Sequence, residues 1–136
     1  MTPMRLSILI FALCLVAGCA SPPVNREPTA PLTAQPLETQ RYLGLWHEAA
    51  RLPNSFERDC VRVTAEYGLR DDGLISVRNT CYRADGEGRE ALGRARRTDN
   101  TLGILEVSFF GPFWGDYWVI DRADDYSWSI VGEPSG

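Results

Sequence analysis

Beyond residue 40 the apolar residues of this chain never repeat at a useful helical spacing. They come instead in short runs at regular intervals, separated by turn-forming clusters, a pattern that points to an antiparallel barrel or sandwich. The clearest run alternates Val61, Val63, Ala65, Tyr67 and Leu69 with Arg62, Thr64 and Glu66, which is the period of a strand with one buried face. Asp71-Asp72-Gly73 follows, where glycine tolerates the positive φ of a hairpin turn. Ile75 and Val77 begin a return strand that runs to about Tyr82. Further strands are expected over residues 46–52, ending at Pro53, and over 91–96, 102–110, 117–121 and 126–131. With 136 residues, these seven strands form one all-β domain rather than two.

The amino end does not share this pattern. Arg5 precedes an apolar run over residues 6–16, the length of a signal-peptide core and too short to span a membrane as a helix. The run ends in Val16-Ala17-Gly18-Cys19, which looks like a bacterial lipobox. That resemblance implies a signal peptide over residues 1–18 and diacylglyceryl transfer to the Cys19 thiol. Ala20 after the cysteine favours sorting to the outer membrane, and each buried methylene of an acyl anchor adds about 0.8 kcal/mol. Pro22, Pro23, Pro28, Pro31 and Pro36 then mark residues 19–40 as a semi-rigid tether. The net charge is −4 and no basic run occurs, so there is no electrostatic footprint for nucleic acid.

Gly44-Leu45-Trp46 places a flexible residue two positions before a large ring. Taken with Phe56-Glu57-Arg58, the Arg70–Gly73 turn and the aromatic run from Val107 to Asp121, it resembles the lipocalins, and within them the bacterial outer-membrane lipocalins related to apolipoprotein D. The resemblance covers residues 41–136. It implies an up-and-down antiparallel β-barrel in which Trp46 plugs one end. It also implies an eighth strand, an arginine lying across Trp46 and an outer helix, which this sequence does not reach. About seven of eight strands are therefore expected, and the open sheet edges make edge-to-edge pairing of two copies, or a truncated remnant without function, the rivals to ligand binding. The function implied is non-covalent carriage of a lipid-like molecule, of the fatty-acid or lysophospholipid class, at the outer membrane facing the periplasm.

By alternation the cavity wall is expected to include Ala65, Tyr67, Val77, Val107, Phe109, Tyr117 and Val119, with Tyr117 the best candidate for a polar contact because a buried phenol needs a partner. Phe110 and Trp118 should face outward. Gly44 and Trp46 read as structural. Glu48 shares a face with Trp46 on an extended strand, either as a polar anchor in the cavity or as a carboxylate satisfied by an arginine or water. His47 is the sole histidine, so no familiar metal site or Ser-His pair forms around it. No nucleophile–base pair is visible, and neither an enzyme nor a cofactor is expected. The acidic stretches at Asp71-Asp72 and residues 121–125 lack calcium-loop spacing. Cys60 and Cys81 lie on two arms of one hairpin in a compartment that permits a disulfide. Strict alternation puts Cys60 outward and Cys81 inward, so a bulge near the start of the strand is needed to bring them together.

Overall fold

The computed structural model describes residues 26, 27 and 30–135. The expected signal peptide and the Cys19 lipidation site lie outside these residues. A four-residue helical turn, α1 (Thr39–Tyr42), leads into seven strands: β1 (Gly44–His47), β2 (Arg62–Leu69), β3 (Ile75–Tyr82), β4 (Gly88–Arg97), β5 (Ile104–Ser108), β6 (Gly115–Arg122) and β7 (Ser129–Gly132). Each strand pairs antiparallel with the next in a single sheet of sequential order. Up-and-down connectivity keeps every pairing local, as hairpin-length loops favour. Among the described residues, β1 and β7 are hydrogen-bonded on one side only.

Register explains which side chains meet on the concave face, because paired residues of an antiparallel ladder project to the same side. One row runs Trp46, Ala65, Asn79, Ala91 across β1 to β4. The next holds Tyr67, Val77 and Gly93. Another holds Ile75, Ala95, Val107 and Gly115, and Leu105 pairs with Tyr117. The core gathers here, from Leu37 and Tyr42 before the sheet to Ile75, Val77, Ala95, Leu105, Val119 and Tyr126 within and beside it.

The two ends of the sheet are built differently. At one end the β2–β3, β4–β5 and β6–β7 turns lie together with the segment that precedes β1. That segment was expected to be free tether as far as Gln40, yet it docks earlier. Pro36 bridges Leu102, Gln35 N–H donates to Val119 O at 2.8 Å, and Leu37 N–H donates to Thr101 O at 3.0 Å. Leu37 is 5% exposed. This end is the floor. The opposite end carries the β1–β2 connection, the β3–β4 turn and the β5–β6 loop, and is the mouth.

Strand limits differ from expectation where side chains redirect the backbone. The first strand begins at Gly44, whose φ of +106° suits glycine, and stops at His47 instead of running to residue 52. Arg51 draws Glu48 and Glu57 together at 2.8 and 3.2 Å, curling the chain into the long β1–β2 connection. The fifth strand ends at Ser108, and the seventh begins at Ser129 because Tyr126 occupies the preceding turn with φ +62°. Val61, expected inward, is 68% exposed. The chain bends there, ahead of β2, so the alternation begins at Arg62. That bend, with no bulge in the strand, swings Cys60 over the buried Cys81, and the two form a disulfide with Cα atoms 5.3 Å apart.

Candidate functional site

The concave face encloses a cavity of about 60 Å³. Its wall comprises Tyr67, Ile75, Val77, Asn79, Ala95, Leu105, Val107 and Tyr117 on the strands with Phe109 just beyond β5, and its floor comprises Leu37, Thr39, Tyr42 and Leu43. Among the described residues no charged side chain belongs to the lining. The volume is that of about two water molecules in the liquid, at roughly 30 Å³ each.

Polarity enters through a chain of hydroxyls. Tyr117 Oη lies 2.9 Å from both Tyr67 Oη and Tyr42 Oη, and Tyr42 Oη lies 3.1 Å from Ser129 Oγ. The rings pack as they converge, with Tyr42 and Tyr67 stacked at 5.6 Å and Tyr67 edge-on to Tyr117 at 6.2 Å. Burial holds all three phenols above the usual tyrosine range, since a phenolate here would lose its hydration. For Tyr67 and Tyr117 a neighbouring phenol adds to the shift, as a second charge beside the first would repel it. The chain is neutral across the physiological range. Higher on the wall, the buried Oδ1 of Asn79 has no hydrogen-bond partner among the described residues.

The floor is fastened from several directions. Trp46 Nε1–H donates to Tyr42 O at 2.8 Å, and the two rings lie 4.8 Å apart. Arg97 donates to Leu37 O at 2.7 Å, to Thr39 Oγ1 at 3.0 Å, and to the carbonyls of Leu102 and Asp99. Tyr126 sits between the guanidinium groups of Arg41 and Arg122, each 4.3 Å from its ring, while its hydroxyl accepts the Glu38 N–H at 2.9 Å. Cation–π contacts of this kind are worth about 0.5–1 kcal/mol at exposed sites, which offsets the uncommon backbone of Tyr126.

Of the residues expected to line the cavity, Tyr67, Val77, Val107, Phe109 and Tyr117 surround it. Two do not. Ala65 is on the concave face but half-buried in the row with Trp46, away from the cavity. Val119 is fully buried against Gly103 and the docked segment, as packing rather than wall. Ile75, Ala95, Leu105 and Asn79 share the parity of the expected set and were legible from alternation. Leu37, Thr39, Tyr42 and Leu43 were not, because a short docked segment has no period. Trp46 braces the floor from outside the lining. Glu48 is not in the cavity; Arg51 pairs it in the β1–β2 connection. Phe110 projects outward as expected and is 78% exposed, and Trp118 is half-buried. Among the described residues no group of side chains is placed to hold a metal.

A single sequential antiparallel sheet curled over an apolar cavity, with a closed floor and an open mouth, defines a calyx-type β-barrel protein. The chain belongs to the lipocalin family: the profile of the lipocalin-like domain matches residues 37–136. The outer membrane lipoprotein Blc of Vibrio cholerae is 44% identical over 97% of this chain and 76% of its own length. The protein of the same name from Escherichia coli K12 is 41% identical over 96% and 75%. In fold the chain is similar to the cockroach major allergen Per a 4, with a TM-score of 0.58 and 23% identity over 75% of this chain and 62% of the allergen.

Proposed function

We propose that this chain binds and carries a small hydrophobic molecule, of the fatty-acid or lysophospholipid class, at the bacterial outer membrane. Acyl chains on Cys19 would anchor it, with the domain facing the periplasm at the end of its proline-rich tether. The observation that supports this most is the uncharged cavity under the curled sheet, with five of its wall residues foreseen by alternation. Burying an acyl chain there gains about 25 cal/mol per Å² of apolar surface removed from water. Ligand sites usually exceed about 300 Å³, so a bound chain extends from the 60 Å³ cavity toward the mouth, displacing wall side chains such as Phe109. Tyr67, Val77, Val107, Phe109 and Tyr117 are the proposed contacts. The names of the two relatives support the location, and Val16-Ala17-Gly18-Cys19 supports the anchor. No catalysis is part of this reading; among the described residues no histidine, carboxylate or amine borders the cavity.

A second reading, pairing of two copies through β1 and β7, is favoured by their singly bonded edges and by Leu45, Ile130 and Val131, which are 56%, 50% and 42% exposed. Native mass spectrometry of the full chain released from detergent separates the two. A monomer that retains a lipid-mass adduct is the expected result. A bare dimer would reject the carrier reading in favour of edge pairing.

A further inference from the structure

The cavity carries two unmatched polar functions and no charge. Asn79 lines it, and its buried Oδ1 accepts from nothing among the described residues. A buried acceptor without a partner is costly and marks a position where a ligand or water donor is wanted. The tyrosine chain supplies the opposite function. Tyr67, Tyr117, Tyr42 and Ser129 are four hydroxyls joined by three contacts. Each hydroxyl holds one proton, so one O–H is left without an acceptor in the chain. When the chain is polarised from Ser129 toward Tyr67, that spare O–H belongs to Tyr67, which borders the cavity as Asn79 does. Asn79 and Tyr67 stand on adjacent strands, one inward position apart, since Tyr67 pairs with Val77.

We propose that the cavity selects amphiphiles whose inserted polar end is an uncharged hydroxyl, which donates to Asn79 Oδ1 and accepts from the tyrosine chain, over those ending in an ionised carboxylate. This presupposes the carrier reading and narrows it away from free fatty acids. A hydroxyl is both donor and acceptor, so it meets both unmatched functions at once. A carboxylate is an acceptor only. It leaves Asn79 Oδ1 unmatched and places an oxygen of like polarity near it. Its charge also loses hydration without gaining a cation, which is the most costly form of polar burial. Arg97 shares the alternation of the wall residue Ala95 on β4, but it lies outside the lining and already donates to Leu37 O, Thr39 Oγ1, Leu102 O and Asp99 O. The tyrosines cannot substitute for it, because burial keeps them neutral and ordinary hydroxyl donors.

The test uses the full chain in amphipol and two probes of equal length with bromine beside the polar end, 2-bromoundecan-1-ol and 2-bromoundecanoate, at pH 7. Bromine quenches tryptophan fluorescence, and Trp46 packs on the cavity floor through Tyr42. Saturable quenching by the alcohol at a concentration at least ten-fold below that of the carboxylate is expected. Partition into the amphipol depletes the alcohol more than the anion, so it works against that result. Asn79→Leu should shrink the ratio at least three-fold by weakening the alcohol alone, and Tyr67→Phe should weaken both probes, since each accepts from the tyrosine chain. Saturable quenching with equal affinities, or with the carboxylate favoured, overturns the selectivity while leaving the carrier reading intact. A ratio unchanged in Asn79→Leu overturns the assignment to Asn79, and an alcohol affinity unchanged in Tyr67→Phe overturns the assignment to Tyr67. Absence of saturable quenching by either probe overturns the carrier reading together with the inference.

Discussion

Tyr117 occupies the middle of the hydroxyl chain and Tyr67 one end of it, so removing each oxygen should have unequal consequences. In Tyr67→Phe, Tyr117 keeps its 2.9 Å contact to Tyr42. The loss is one neutral hydrogen bond, about 1 kcal/mol. In Tyr117→Phe, Tyr42 keeps Ser129 at 3.1 Å, but Tyr67 loses the one side-chain partner it has among the described residues. The cost is then about 1 kcal/mol for the contact to Tyr42 plus about 1–3 kcal/mol for a buried phenol left unsatisfied. The double variant leaves no orphan at Tyr67 and should cost about 2 kcal/mol, less than the two single changes together. Urea denaturation at pH 7 with the disulfide intact measures all three, giving a coupling of about −1 to −3 kcal/mol. Interactions within one hydrogen-bond network commonly reach this size. Additivity within about 0.5 kcal/mol, or a larger cost for Tyr67→Phe than for Tyr117→Phe, would refute a continuous hydroxyl chain.

Three further outcomes follow from the same structure. The pKa values of Tyr42, Tyr67 and Tyr117 are raised in the fold, so the native state holds protons that the unfolded chain releases above about pH 10. Their stabilising contribution is fully present below that pH and is lost as pH rises beyond it. Absorbance of phenolate at alkaline pH should show these three ionising only as the protein unfolds; smooth titration of every tyrosine in folded protein would contradict this. A Cβ at Gly103 would lie 2.9 Å from Val119 Cβ and 3.3 Å from Gln35 O. Gly103→Ala should therefore cost about 1–3 kcal/mol by overpacking the docked segment, and an unchanged thermal midpoint would show that the segment yields freely. Cys60 and Cys81 close a loop with a sequence separation of 21. Replacing both by serine should lower stability by about 3 kcal/mol, read as a lower urea midpoint than that of the oxidised parent, and an equal midpoint would contradict it.

How much of this was legible depended on whether a residue belonged to a repeating element. Val77, Val107 and Tyr117 were placed by alternation because each sits inside a paired strand, where a one-residue slip would reverse every side chain. The same rule turned Val61 inward although it is exposed, since the strand begins only at the next residue, Arg62. It also overstated Ala65 and Val119. Alternation tells which face a side chain is on, whereas lining a cavity further requires that no neighbour fill the space first. Around Val119 the space is filled by Gly103 and Leu37, and no pattern within β6 records that. The disulfide was foreseen as a pairing, but the bend at Val61 that allows it was not.

The largest omission was the segment before β1, and its role changes how the cavity is understood. Composition marked it as tether because prolines and small residues dominate it, and four helical residues are too few for a period. Yet it supplies the floor, and its anchors come from distant elements: Arg97 on β4, Arg122 on β6, Tyr126 beyond β6 and Trp46 on β1. Each contact engages either a backbone group of residues 36–42 or a side chain on them, so the sheet needs little from the identity of most residues in that segment. Arg122, for example, donates to Pro36 O at 2.8 Å. A proline-rich composition is thus compatible with a docked floor, provided the strands carry the arginines and aromatics that grip it. Because so many groups hold the floor and fewer fill the mouth, an incoming ligand meets least resistance at the mouth. On the carrier reading proposed above, a bound ligand is therefore expected to enlarge the cavity upward along Phe109, toward the exposed Phe110 and Phe113, while Tyr42 and its hydroxyl partners stay in place.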